Sequence, residues 1–91
     1  SFKGQGTYYT IGLGSCGKTN RDSDMVVALS SSMMSSGKYC GKKIKAKSSK
    51  GTVTATVADT CPGCPKDDID FSMGAFKLIG SIAAGRIDIS W

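Results

Sequence analysis

The residues able to do chemistry in this 91-residue chain are few and of one kind. All seven acids are aspartates: Asp22, Asp24, Asp59, Asp67, Asp68, Asp70 and Asp88. There is no Glu and no His. Asp is therefore the side chain left to act as general acid or base near neutral pH. Mechanisms that need an imidazole, such as Ser-His-Asp or Cys-His nucleophiles, are excluded. Four of the aspartates fall between Val57 and Ser72, in VADTCPGCPKDDIDFS, together with Cys61 and Cys64. Such density fits a catalytic pair, a metal site or a solvated turn.

A zinc site would need four thiolates, usually from two CxxC knuckles, or a histidine to complete a mixed set. Only one knuckle, Cys61-Pro62-Gly63-Cys64, is present. No metal and no cofactor are expected. An even cysteine count in a short chain reads instead as disulfides and an oxidising compartment. A domain of this length buries only roughly 60–65% of the surface its unfolded chain exposes, so staples matter.

Taken one by one, the aspartates differ. Asp67 and Asp68 follow Pro65-Lys66 and read as a solvated turn. Asp88 alternates with Ile87 and Ile89 and should face outward. Asp22 and Asp24 lie in a polar loop, where Asp24 can accept from nearby amides. Asp59 closes a buried strand, and Asp70 precedes a helix cap. Purely local roles for these two, an Asx-turn and a helix-entry charge, would be worth about 0.5–1 kcal/mol each.

The elements that must hold these residues are short. Ser1 to Gly6 reads as a glycine-containing lead, and Thr7 to Ile11 as a β-branched and aromatic strand. GLGSCG (12–17) has the form of a dinucleotide fingerprint. It lacks the helix and the downstream acid of that site, so its glycines read as a turn around Cys16. Met25 to Leu29 reads as a buried strand, and Ser30 to Gly37 as one helical turn with Met33 and Met34. Ile44, Ala46 and Ser48 alternate with lysines, SSKG turns the chain, and Val53, Ala55 and Val57 return inward. Ser72 is a good N-cap for a two-turn helix through Met73, Phe76 and Leu78–Ile79, stopped by Gly80. Gly85-Arg86 opens a last strand with Ile87 and Ile89 inward. Phe71 and Phe76 belong to the core. The class is a small, mostly β barrel.

Twelve basic residues against seven acids give a net charge of +5. That balance serves solubility and suits an acidic partner. The Lys42–Lys47 run alternates like the outer face of a strand, so no nucleic-acid reading helix is expected. No run approaches the ~20 apolar residues of a membrane span. The proximity of Ser1 to the first strand pattern fits a mature, secreted chain.

The segments GTYYT…GSCG, VALS, YCGKKI, VTATVADTCPGC, IDFSMGAFKLIG and GRIDISW occur in that order. Together they resemble the double-psi β-barrel superfamily of expansins, barwins, rare-lipoprotein-A domains and fungal loosenins. The most specific pieces are the V-x-D-x-C-P strand end at Asp59 and the Asp70-Phe71-Ser72 helix entry. The resemblance implies a six-stranded double-psi β-barrel with one or two short helices and a shallow polysaccharide-binding groove across one face. It further implies Cys16–Cys40 and Cys61–Cys64 disulfides. Expansins continue into a carbohydrate-binding domain after the final Trp, whereas this sequence stops at Trp91, like a single-domain, monomeric, loosenin-like protein.

Residue by residue, Asp70 matches the general-acid position of related endoglucanases, and Asp59 matches its neighbour. Thr7 matches the first-strand threonine, and Tyr9, or else Tyr8, the exposed aromatic beside it. Aromatics that stack on pyranose rings are expected at Tyr8 or Tyr9, at Trp91, and at Tyr39. The base of those endoglucanases falls on Thr10, which cannot act as one. The lytic rare-lipoprotein-A enzymes carry a histidine after, and a glutamate before, the strand matching VALS; here Ser30 follows Leu29. The implied function is a secreted, non-hydrolytic protein that binds cellulose, chitin or peptidoglycan and loosens it. An inhibitor of papain-like cysteine proteases on the same barrel is the alternative, and a lytic transglycosylase or endoglucanase ranks below both.

Overall fold

Hydrophobic alternation sets the strands, and the strands close on themselves. The computed structural model describes residues 2–9, 14, 16, 17, 19, 21, 23–35 and 39–91. Six strands, β1 (Lys3–Tyr8), β2 (Val26–Ser30), β3 (Lys43–Lys47), β4 (Thr52–Cys61), β5 (Ile69–Phe71) and β6 (Ile87–Ser90), are joined by α1 (Ser31–Ser35) and α2 (Met73–Phe76). A 3₁₀ turn, Ile82–Ala84, precedes β6. The ring runs β1-β5-β2-β4-β3-β6 and is a closed barrel. β1/β5 and β2/β4 pair in parallel, and the remaining neighbours are antiparallel. The ring closes between β3 and β6 through the pair Lys47 with Ser90.

The core is filled from every strand except β1. Val27, Leu29, Val53, Val57, Ile69, Phe71, Phe76, Ile79 and Ile89 are buried in one cluster. β1 contributes Gly6, where an added Cβ would stand 2.8 Å from the Phe71 ring. Two disulfides, Cys16–Cys40 and Cys61–Cys64, join Cα atoms 5.5 and 5.4 Å apart.

Four sequence expectations shift. The lead is itself the strand: β1 begins at Lys3 and ends at Tyr8. Glycine disfavours strands, yet a Cβ at Gly4 would lie 2.3 Å from the Asp67 carbonyl oxygen, so packing overrides propensity. β2 starts at Val26, leaving Met25 exposed. α2 is a single turn, and Leu78 points to solvent. Asp67 and Asp68 are half-buried, not solvated. Asp68 Oδ1 accepts the Gln5 amide at 2.8 Å, and Oδ2 lies 3.6 Å from the Arg86 guanidinium. Trp91 Nε1 donates to the Asp67 carbonyl at 2.9 Å.

Candidate functional site

One row of paired residues crosses four strands. Thr7 of β1 is opposite Asp70 of β5. Asp70 is opposite Ala28 of β2. Ala28 is opposite Asp59 of β4. Paired residues share a sheet face. Val27, Leu29, Ile69 and Phe71, which alternate with members of the row, point into the core. The row therefore faces outward.

Asp59 reaches this face through a bulge. Val53, Ala55 and Val57 point inward, and strict alternation would turn Asp59 inward as well. The β2/β4 register shifts between Val27 and Ala28, so Val27 pairs with Val57 and Ala28 with Asp59. The extra residue, Ala58, resets the parity. Asp59 and Asp70 then flank Ala28, two strand spacings apart, or roughly 10 Å between Cα atoms. Sequence periodicity gave no sign of this shift.

Asp70 is held from β1, where the Thr7 hydroxyl donates to its Oδ1. The Cys61 sulfur, which has no proton to donate in the disulfide, lies 3.7 Å from Oδ2. Cys61, Cys64 and Asp70 come within 4.8 Å of one another in the manner of a metal cluster. The two sulfurs are bonded to each other and offer no thiolate. Asp59 Oδ1 accepts from the Thr60 amide at 2.7 Å.

Ser72 anchors the other end of β5. Its buried hydroxyl accepts from the Ala75 amide at 3.2 Å and donates to the Asp24 carbonyl at 2.5 Å. The Asp24 carboxylate accepts from the Arg21 amide at 2.9 Å. Asp88 is exposed, as its alternation implied, and accepts from Gln5 Nε2 at 3.3 Å. Buried Ser30 donates to the Lys66 carbonyl at 2.8 Å and so ties the 62–68 loop to β2. The Cys16 loop covers the end of β4: Cys16 N donates to the Ala58 carbonyl at 3.3 Å.

The aromatic candidates separate. Tyr9 follows β1 on the same side as Thr7, and its amide donates to the Phe71 carbonyl at 3.1 Å. Burial, with the Asp59 and Asp70 carboxylates nearby, pushes its phenol up to about 12. Tyr8 turns the other way, packing on Phe76 at 5.1 Å and donating to the Ile82 carbonyl at 3.1 Å. Tyr39 packs against the core. Trp91 stacks on Phe2 at 4.8 Å, and its backbone pairs with Phe2, five positions along β1 from Thr7. The structure thus gathers Thr7, Tyr9, Asp59 and Asp70, and leaves Tyr8, Tyr39 and Trp91 outside that cluster. Thr10 and Asp22 lie outside the described residues.

Residues 1–91 match the family model described as lytic transglycolase. Allergen Asp f 7 of Aspergillus fumigatus is 41% identical over 97% of this chain and 35% of its own length. A mutant Clavibacter michiganensis expansin, solved in complex with cellohexaose, superposes with a TM-score of 0.88 at 34% identity, over 97% of this chain and 47% of that one. A Streptomyces papain inhibitor superposes with a TM-score of 0.84 at 26% identity, over 96% of this chain and 90% of that one. The chain spans about a third to a half of the length of the allergen and the expansin. The barrel, both disulfides and these matches together place the chain in the double-psi β-barrel superfamily that includes expansins and rare-lipoprotein-A-like domains.

Proposed function

We propose that this chain is a secreted, expansin-like protein that binds a neutral cell-wall polysaccharide across the Thr7–Asp70–Ala28–Asp59 row and loosens it without hydrolysis. The carrying observation is that Asp70, oriented by Thr7, keeps the acid position, whereas the position matching the water-activating base of related endoglucanases is Thr10, which cannot act as a base. The chain contains no Glu or His to take that role.

Asp70, oriented by Thr7, would bond a sugar hydroxyl or a glycosidic oxygen, and Tyr9 would stack on or donate to the same chain. Such contacts replace hydrogen bonds between neighbouring polysaccharide chains. The cellohexaose complex of the Clavibacter expansin supports a β-linked glucan as the first ligand to try. The test is retention on insoluble cellulose and chitin with a reducing-end assay on the supernatant, for the native chain and for Asp70→Asn. Binding lost in the variant, with no reducing ends in either sample, is the expected result.

The papain-inhibitor neighbour, covered over 90% of its length, supports a second reading as a protease inhibitor. Inhibition of papain at micromolar protein that survives Asp70→Asn would favour it.

A further inference from the structure

Residues 25–58 contain no acid, and six of the chain's twelve cations, Lys38, Lys42, Lys43, Lys45, Lys47 and Lys50, fall among them. On β3 the exposed positions are Lys43, Lys45 and Lys47, which alternate with the inward Ile44 and buried Ala46. Successive ammonium stems leave the strand about 6.8 Å apart. Directly across the ladder stand Thr56, Thr54 and Thr52. Among the described residues one ion pair is present, Arg86 with Asp68 at 3.6 Å, and it involves none of these lysines. The acid nearest in register on the neighbouring strand, Asp88 of β6, is two positions from Ser90, the partner of Lys47, and is engaged by Gln5.

We propose that the outer face of the β3–β4 hairpin, with Lys43, Lys45 and Lys47 flanked by Thr52 and Thr54, is a second binding surface that takes a linear carboxylated polysaccharide along β3. The charges are evenly spaced on a pleated ribbon, and the threonine hydroxyls can donate to carboxylates or accept from sugar hydroxyls. Among the described residues, no arginine fork for phosphate and no aromatic for base stacking stands on this face, which disfavours nucleic acid. Nor, among them, does a large apolar side chain project there to enter a lipid interface. The groove, with Asp59 and Asp70, would repel the same polyanion. The two surfaces therefore select different glycans, and joint engagement would raise retention on a mixed wall through effective concentration.

The probe is polygalacturonate of defined length, at 50 and 200 mM salt, with neutral insoluble cellulose, single-stranded oligothymidylate and anionic phospholipid vesicles as comparators. The native chain should bind polygalacturonate and weaken roughly tenfold to twentyfold between the two salt levels, if about three charges are neutralised at a slope near −0.7 each. The triple variant Lys43→Gln/Lys45→Gln/Lys47→Gln should lose this binding yet keep its retention on cellulose. The Lys→Arg triple variant should retain both, and Asp70→Asn should retain polygalacturonate alone. Native-like polygalacturonate binding by the Gln variant overturns the proposal, as does insensitivity to salt. Equal or tighter binding to oligothymidylate or to the vesicles overturns it too. Loss of cellulose binding by the native chain would count against the groove and leave this surface standing.

Discussion

Asp59 and Asp70 stand on either side of Ala28, each paired with it across a different strand. One pairing is parallel and the other antiparallel. The two aspartates, eleven residues apart in the chain, thereby become next-but-one neighbours on a single face. Ala28 between them is buried, whereas both aspartates are half-buried. A bulge at Ala58 makes the arrangement possible, since without it Asp59 would turn toward Val27 and Leu29. The consequences can each be measured.

Thr7→Val removes the hydroxyl that donates to Asp70 Oδ1 and keeps the β-branched shape. Stability should fall by about 1 kcal/mol in urea unfolding. Glucan retention should fall as well, because the Asp70 carboxylate loses the hydroxyl that orients it. Unchanged retention would show that Thr7 does not orient the acid.

Tyr9 should titrate late. Its phenol is pushed up to about 12, first by burial and then by Asp59 and Asp70. The folded state holds this proton more tightly than the unfolded chain, whose tyrosine titrates near 10. The associated stability is complete below about pH 10 and is lost as pH rises toward 12. Phenolate absorbance should show a late component that is absent in Tyr9→Phe. In Asp59→Asn/Asp70→Asn it should move only part of the way back, since burial is the larger cause.

Ser72→Ala should be costly for its size. The hydroxyl is buried, caps α2 and bonds the Asp24 carbonyl. Leaving the Ala75 amide and the Asp24 carbonyl without this partner should cost about 2–3 kcal/mol. Equilibrium urea unfolding reads the loss directly.

Gly14→Ala tests how the Cys16 loop is seated. A Cβ at Gly14 would lie 2.1 Å from the Ala58 carbonyl oxygen and 3.3 Å from the Asp59 Cβ. The loop must lift off β4, at a cost of about 1–3 kcal/mol. The thermal midpoint and glucan retention should fall together.

The disulfides should contribute unequally. Cys16–Cys40 closes a separation of 24 residues and Cys61–Cys64 one of 3. Chain entropy assigns about 3–4 kcal/mol to the first and about 2 to the second. Paired Cys→Ala variants should rank in that order by urea unfolding. The Cys61/Cys64 variant should lose more glucan binding for its stability cost, because Cys61 lies against Asp70.

Much of this was legible from residue patterns, and the failures have physical causes. The β3–β4 hairpin followed from lysines alternating with Ile44 and Ala46, and the Ser72 cap from its place before an apolar turn. β1 was misjudged because Gly4 and Gly6 disfavour strands in isolation. Their need arises from Asp67 and Phe71, more than sixty residues away. Asp67 and Asp68 looked solvated because Gln5, Arg86 and Trp91, which engage them, are distant in sequence. Trp91, expected among the exposed aromatics, is half-buried with Phe2 against its ring, a contact that is distant in sequence. The choice between Tyr8 and Tyr9 turned on where β1 begins. With Gly6 known to face Phe71, parity sends Tyr8 inward and Tyr9 to the side of Thr7.

The central claim is that one face carrying both aspartates grips a glycan without cutting it. The decisive measurement is soluble reducing-end release from cellulose, beside bound protein, for the native chain and Asp70→Asn. The account predicts native binding with no release above a protein-free blank, and binding lost in Asp70→Asn. Release by the native chain that disappears in Asp70→Asn would contradict it and make Asp70 a catalytic acid.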